Sequence, residues 1–227
     1  MAFSRISAQD TQNQSATFNV TTTYGSTPTQ GNLLIAVLYN SDSYTLVYSS
    51  AGWKLAVGSD NTNGNSISVW YKTVGTSEPT AVTMTDGSSA SGSMHLILYE
   101  YQTDTKNTNF KVDQTATANS AAATANSQTT GTTKTTTQPN QLVIAAVEFA
   151  GSGTLPSWTN SFTAQLSTDR AFMADKIVST TGSYESTLTV TGVAVKMSGA
   201  IVAFNESYRT FKPQSIRPHP FSPGLAR

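Results

Sequence analysis

Residue types that commonly carry out catalysis are scarce in this sequence. It contains no cysteine, and its two histidines, His95 and His219, lie far apart along the chain. The lack of cysteine excludes disulfides, thiol catalysis and thiolate zinc sites, and two isolated histidines argue against a multi-histidine metal site. Alternation places His95 on one strand face with Ile97 and Tyr99, so we interpret it as a hydrogen-bonded strand residue rather than a general base.

The acidic residues give no catalytic motif either. Thirteen carboxylates are scattered along the chain, and there is no Gly-x-Ser-x-Gly elbow, HExxH motif or phosphate-binding loop. A glycosidase pair could still come from distant strands, and the candidates are Glu100, Glu148 and Glu206. Residues 60–65 superficially resemble a calcium loop but lack oxygen ligands at two required positions, which favours a hairpin turn. We therefore predict no catalytic residue, no metal and no cofactor.

Aromatic side chains suggest one alternative function, which is carbohydrate binding. Trp70 falls on the polar phase of its predicted strand, beside Ser68 and Lys72, and Tyr99 and Tyr101 share one strand face. Exposed aromatic rings can stack on sugar rings, so Trp70, Tyr99 and Tyr101 form a candidate carbohydrate-binding platform. The other interpretation is that a sandwich buries these rings, or that a β-bulge changes the phase of the strand at Trp70.

The elements that would position these residues are β-strands. Threonine occurs 37 times and serine 29 times, while charged residues make up 11% of the chain, a composition typical of β-structure. Apolar and polar residues alternate, as in 66–72 and 187–191. Two runs, 33–39 and 142–147, are apolar on both faces, which predicts strands at the centre of a packed sandwich. No segment shows helical periodicity, and the alanine-rich residues 116–125 are predicted to form a loop or an edge strand.

Four sequence blocks recur at nearly constant spacing, which predicts an internal duplication. Residues 30–37, 52–55, 71–74 and 93–100 correspond to 138–147, 161–164, 175–178 and 199–206, at offsets of 108, 109, 104 and 106. Because half a sandwich cannot bury its own inner face, both halves should share one core. We predict an all-β, jelly-roll-like β-sandwich over residues 1–208, with repeats at 1–110 and 111–208. The second part of the connection 114–138 is predicted to be a paired or edge strand.

Residues 209–227 differ in composition from the rest of the chain. They contain four of the eight prolines, four basic residues and no acidic one, which leaves nine basic and 13 acidic residues in 1–208. Proline at this density favours an extended arm. Regularly spaced apolar residues and cations suit an arm that lies in a groove of a neighbouring subunit. The predicted partner-binding residues are Phe211, Lys212, Ile216, Arg217, Phe221, Leu225 and Arg227.

Other uses of this segment and of the chain are less favoured. A disordered basic tail is the main alternative for 209–227, whereas four dispersed charges make a weak footprint for nucleic acid. The polar residues after 1–5 lead us to expect no secretory signal, and the longest apolar run, 33–39, is far shorter than the roughly 20 residues that span a bilayer. We therefore expect a soluble protein made in a cytoplasm, with no nucleic acid or membrane as partner.

The turn and core signatures of this chain resemble those of a β-sandwich protein family common in tailed bacteriophages. The resemblance covers about residues 1–206 and is carried by residues 1–5, 27–37, Gly52-Trp53, Tyr71-Lys72 with 77–79, 131–133 with 141–143, and 176–178 with 181–184. It implies a virion structural protein, such as a head decoration, head-fibre or tail component, and it implies no catalytic residues. Such signatures specify the fold better than the role.

The resemblance and the residues together predict a non-enzymatic virion protein, assembled in the host cytoplasm. The preferred role is a capsid decoration protein that docks on the shell through residues 209–227. Expected partners are the major capsid protein or other virion subunits, and further copies of the chain in a homo-oligomer. The alternative is a tail- or head-fibre-associated adhesin that binds carbohydrate of the host surface.

Overall fold

The computed structural model describes residues 3–17, 19–41, 51–60, 65–86, 92–104, 109–120, 126–149, 154–191 and 196–207. These residues form β-strands and one short 3-10 helix, Ser7–Gln9. The strands are β1 (Phe3–Arg5), β2 (Thr11–Ser15), β3 (Asn19–Thr23), β4 (Leu33–Asn40), β5 (Lys54–Asp60), β6 (Ser66–Thr73), β7 (Ala81–Thr85), β8 (Met94–Thr103), β9 (Asn109–Asn119), β10 (Ser127–Thr129), β11 (Gln141–Phe149), β12 (Thr154–Trp158), β13 (Thr163–Ala164), β14 (Ala171–Val178), β15 (Thr187–Thr191) and β16 (Met197–Ser207). The predicted all-β class is confirmed.

Two large antiparallel sheets pack face to face at the centre of the molecule. The first sheet has the order β1-β8-β4-β6-β5, with β2 also paired to β8, and the second has the order β13-β14-β11-β16-β9. Their inner faces share one core, to which the first sheet contributes Leu33, Ile35, Val37, Ile97 and Tyr99, and the second sheet Leu142, Ile144, Met173, Val202 and Phe204. This arrangement is a β-sandwich, in which each sheet covers the apolar face of the other.

Two small sheets cover the outer faces of the large ones. The β3-β7 pair lies over the first sheet, where Val20 and Met84 pack against Leu34 and Leu38. The β10-β15-β12 sheet lies over part of the second sheet, where Leu188 packs beside Val147 and Phe149. Every residue of β4 and β11 is therefore buried, which confirms the prediction of central strands from their continuous apolar runs.

The two large sheets have matching strand orders. If β8, β4, β6 and β5 are matched with β16, β11, β14 and β13, the order is the same in both sheets, and β9 takes the edge position that β1 and β2 occupy in the first. The outer pairs β3-β7 and β10-β15 correspond in the same way. This agreement supports the internal duplication, which stays a prediction, as does the jelly-roll form.

The connection between the two halves is largely β-structure. The strand β9 pairs with β16 at the edge of the second sheet, and it contains residues 116–119 of the alanine-rich segment. After β10, the backbone N–H groups of Thr130, Thr133 and Thr136 continue the pairing by donating to the carbonyls of Ser186, Tyr184 and Gly182. The second part of the connection is thus paired, as predicted.

A close backbone crossing fixes β10 against the second sheet. A Cβ atom at Gly199 in β16 would collide with the Thr129 carbonyl oxygen, and one at Gly131 would lie 2.7 Å from the Thr117 carbonyl oxygen. Gly131 also has a φ of +78°, a conformation in which glycine avoids the steric cost of a side chain. Glycine is therefore required at both positions by the path of the chain.

In the residues that the structure describes, the 3-10 turn Ser7–Gln9 is the one helical element. The described part of the chain contains no helix with the length and hydropathy of a membrane-crossing segment.

Candidate binding surface

The three aromatic candidates lie in the interior. Trp70 is 6% exposed, and its indole Nε1 donates to the Ser68 hydroxyl at 3.0 Å. Tyr99 and Tyr101 are completely buried and face the core between the large sheets. The expected exposed platform for sugar rings is corrected here, because the sandwich buries all three rings. Trp70 shares its strand face with the polar residues Ser68 and Lys72, but Trp53 and the β3-β7 pair pack over the Trp70 ring.

The predicted partner-binding residues lie outside the described residues. They are Phe211, Lys212, Ile216, Arg217, Phe221, Leu225 and Arg227. Most of the proposed hairpin turn at 60–65 also lies outside the described residues, at positions 61–64. Both remain predictions from sequence.

The three glutamates are not brought together. Glu100 lies on the outer side of the first sheet and accepts a 2.6 Å hydrogen bond from the Asn32 amide. Glu148 is the cross-strand neighbour of Ser198, and Glu206 follows Ser198 by eight residues, a strand distance of about 26 Å. A glycosidase needs its carboxyl groups within about 10 Å. Among the described residues there is also no group of three or more side chains placed to hold a metal ion.

His95 is a buried, hydrogen-bonded strand residue, as its alternation predicted. Its Nε2 lies 3.0 Å from the Ser93 hydroxyl and its Nδ1 lies 3.1 Å from a carboxylate oxygen of Asp169. Its ring contacts Tyr39 edge-on, with centroids 5.2 Å apart. Burial lowers the pKa of His95, with Arg170 acting in the same direction and Asp169 opposing it. Through the Asp169 contact, His95 lies where the loop before β14 meets the rim of the first sheet.

A polar network also joins the large sheets across the core. The Tyr101 hydroxyl in β8 donates to Asp175 Oδ2 in β14 at 2.8 Å, and Gln165 Nε2 donates to the other carboxylate oxygen at 2.6 Å. Nearby, Arg5 and Asp10 approach to 3.5 Å. Since the carboxylate of Asp175 is fully used within the protein, we interpret this network as structural.

An open polar groove lies on the outer side of the second sheet. It has a volume of about 620 Å³ and is lined by Thr132, Asn160, Ser161, Phe162, Lys176, Ser183, Tyr184 and Glu185. We call it the Lys176 groove. Its lining combines one cation, one carboxylate, two aromatic rings and several hydroxyl and amide groups. This lining offers a ligand hydrogen-bond donors and acceptors, one positive charge and aromatic surface.

The turn at Asn160 organises this groove. The Lys176 ammonium donates to the Asn160 carbonyl at 2.8 Å and lies 5.8 Å from the centre of the Phe162 ring. The Asn160 amide donates to the Glu185 carbonyl at 3.0 Å, and the Thr132 hydroxyl donates to the Glu185 carboxylate. Asn160 and Ser161 both have a φ of 59°, a left-handed conformation that asparagine tolerates but that costs energy for serine.

The first half contains the same lysine contact in a closed form. There the Lys72 ammonium donates to the Ala51 carbonyl at 3.0 Å, and the turn has glycine, Gly52, at a φ of 86°. Trp53 takes the place of the aromatic ring. Unlike Lys176, Lys72 forms a 2.7 Å ion pair with the largely buried Glu78. Within the described residues, no carboxylate lies at ion-pair distance from Lys176.

This groove was not predicted from the sequence, although the duplicated blocks contain three of the lining residues, Ser161, Phe162 and Lys176. The duplicated blocks 52–55 with 161–164 and 71–74 with 175–178 matched both turns and both lysines. The signal that was overlooked is the difference inside those blocks, where serine replaces the glycine at a position that needs a left-handed φ.

Comparison with known proteins gives no relative for this chain. No family model matches the sequence, and no match was found among curated proteins or solved structures.

Proposed function

We propose that this chain is a non-enzymatic structural protein of a tailed-phage virion, and that it decorates the capsid. The resemblance of residues 1–206 to phage β-sandwich proteins supports this proposal. The described body supports it too, because the residues that sequence analysis offered for catalysis are either separated or used in internal hydrogen bonds.

The observation that carries the proposal is the division of charge along the chain. Residues 1–208 contain four more acidic than basic residues, whereas residues 209–227 contain four basic residues and no acidic one. A body with acidic excess and a basic, proline-rich segment suits attachment of that segment to an acidic surface of the shell, because opposite charge accelerates encounter and fixes orientation.

The two kinds of residue in 209–227 would then have different tasks. Phe211, Ile216, Phe221 and Leu225 provide apolar anchors that an extended segment can insert into pockets. The four cations provide steering, which depends on ionic strength. The β-sandwich supplies a rigid body whose position on the shell this segment sets.

The test is attachment of full-length protein and of a variant ending at residue 208 to phage heads that lack the protein. We expect the truncated variant to unfold at the same temperature as the full chain and to lose attachment. Undiminished occupancy of the heads by the truncated protein would contradict the proposal.

Two further variants separate the contributions within the segment. Replacing the four apolar residues by serine should increase the dissociation rate, because pocket contacts mainly set that rate. Replacing its lysine and arginines by glutamine should slow association and remove its salt dependence. If both variants attach like the unmodified chain, the segment is not the attachment element.

A further inference from the structure

The same lysine–carbonyl contact occurs in both halves of the molecule, but its surroundings differ. In both, a lysine of the matching strands β6 and β14 donates to a turn carbonyl, but Lys72 is neutralised by Glu78 at 2.7 Å while Lys176 has no described carboxylate at ion-pair distance. A lysine can hold the turn whether or not a carboxylate is paired with it, so holding the turn does not explain why Lys176 lacks such a partner among the described residues. In the open form, the partly exposed Lys176 lines a groove of about 620 Å³ and its ammonium group has a backbone carbonyl as its hydrogen-bond acceptor.

The backbone of the groove gives a second, independent observation. Ser161 has a φ of 59°, whereas the corresponding turn of the first half has Gly52 at a φ of 86°. Residues other than glycine and asparagine rarely adopt this conformation, and those that do cluster at active sites and ligand-binding sites. The turn at 160–161 has an exposed amide and an exposed hydroxyl, and both residues line the groove.

The chemistry of the lining defines the ligand. Lys176 supplies a positive charge for one anionic group, and Glu185 supplies a carboxylate that accepts hydrogen bonds from hydroxyl groups. The hydroxyls of Ser161 and Ser183 can donate or accept, and the half-buried ring of Tyr184 offers an apolar face. A polyhydroxylated ring that carries one carboxylate matches all of these groups.

We infer that the Lys176 groove binds an acidic saccharide, with the sugar carboxylate on Lys176 and sugar hydroxyls on Glu185 and the Asn160-Ser161 turn. A nucleic acid is a poorer match, because Glu185 lines the groove and residues 1–208 have an acidic excess. This binding is separate from the proposed attachment through 209–227. A virion protein with both would hold the capsid through one region and a host-surface glycan through the other.

The test is calorimetric titration of the full-length protein with oligosaccharides of glucuronate, galacturonate, mannuronate and sialic acid. Each is compared with its methyl ester, which keeps the ring and removes the charge. We expect at least one acid to bind, and esterification to weaken it by roughly 10- to 100-fold, as expected for loss of one charge-assisted hydrogen bond. Failure of all four acids to bind, or equal binding of acid and ester, overturns the inference.

Matched variants locate the binding. Lys176→Gln should weaken the acid at least tenfold and Lys176→Arg should retain it, while Lys72→Gln, which removes the corresponding lysine of the first half, should leave affinity unchanged. If Lys176→Gln does not fold, Ser161→Gly with Glu185→Gln replaces it, since glycine suits the backbone of that turn. Unchanged affinity in the variant of the groove overturns the inference. The chain ending at residue 208 should bind the saccharide normally. Its saccharide affinity therefore tests the groove, whereas its attachment to phage heads tests the role of residues 209–227.

Discussion

At the scale of single residues, the Tyr101–Asp175 contact shows how a carboxylate is kept inside the central core. Asp175 is 8% exposed and receives hydrogen bonds from Tyr101 and Gln165, which come from different parts of the chain. Burial raises the pKa of the Tyr101 hydroxyl, and the Asp175 charge raises it further, so this group remains a donor. Each carboxylate oxygen of Asp175 therefore has a hydrogen-bond donor within the core.

Tyr101→Phe tests this contact. The change removes one hydrogen bond to a buried charge, and we expect the free energy of unfolding to fall by about 2 kcal/mol. Tyr184→Phe is the control, because its hydroxyl donates to the Thr180 carbonyl in an exposed contact, and loss of this bond should cost about 0.5 kcal/mol. Urea denaturation of both variants measures the difference, and equal losses would show that Asp175 does not depend on Tyr101.

Asp10 gives a prediction with a definite pH window. Burial raises the pKa of Asp10 from 3.8 to about 6, with Asp175 acting in the same direction and Arg5 opposing it. Between these two pH values the folded state keeps a proton that the unfolded state has lost, so this contribution to stability declines as the pH rises through the folded pKa. Asp10→Asn resembles the protonated form. It should be more stable than the unmodified protein at pH 7.5, and the gain should disappear near pH 4.

Asp113 is the opposite case and serves as the control. Burial alone would raise its pKa, but hydrogen bonds from Gln141 and Thr137 outweigh burial and lower the pKa below 3.8. Its contribution to stability is present above the unfolded pKa and declines only as the pH falls through the folded one. Asp113→Asn should therefore be less stable at both pH 7.5 and pH 4. Parallel urea titrations at the two pH values check both signs, and a pH-independent effect of Asp10→Asn would contradict the assignment.

At the scale of elements, the crossing of β10 over β16 depends on glycine. Gly199→Ala should lower the free energy of unfolding by roughly 3 kcal/mol, because the added methyl group meets the Thr129 backbone rather than a movable side chain. Gly75→Ala is the matched control, since a Cβ there meets nothing within 4 Å, and its effect should stay within about 0.5 kcal/mol. Thermal unfolding of the two variants makes the comparison, and similar melting temperatures would rule out a tight crossing.

Strand identity was accessible from sequence, but the register between the halves was not. Alternation and the continuous apolar runs correctly indicated β6, β15, β4 and β11. The fourth duplicated block, however, aligned Tyr99 with Asn205, whereas in the structure Tyr99 lies opposite Ile35 and Val202 lies opposite Ile144, all four facing the central core. Val, Ile and Ala substitute for one another on a buried face. Several alignments of β16 with β8 therefore fit the sequence equally well, and the residue types could not select the correct one.

At the scale of the whole molecule, the outer sheets account for what sequence could not reveal about the site. The polar phase around Trp70 was interpretable as solvent-facing only while the sandwich was assumed to have two layers. The β3-β7 pair adds another layer and buries Trp70. The residues that line the Lys176 groove come from four separate parts of the chain, 132, 160–162, 176 and 183–185. A local sequence pattern cannot show that the fold brings these parts together.

The shared central core predicts that neither half folds alone. Leu33 and Ile35 of the first sheet pack in the same cluster as Leu142 and Ile144 of the second. A fragment of residues 1–108 would expose that face to water, so it should bind a hydrophobic dye and show no cooperative unfolding. Fluorescence and urea titration of fragments 1–108 and 109–227, separately and mixed, provide the check. A monomeric 1–108 fragment that unfolds cooperatively would contradict a common core.

The complete burial of β4 and β11 has a consequence for exchange of amide hydrogens with heavy water. Both strands are hydrogen-bonded on each side and covered on each face, so their amides have no partial opening that admits solvent and exchange only when the entire chain comes apart. Protection factors in these two strands would therefore read out the global stability directly. In β3, whose side chains alternate between exposed and buried, the amides should exchange earlier and report on the detachment of an outer layer.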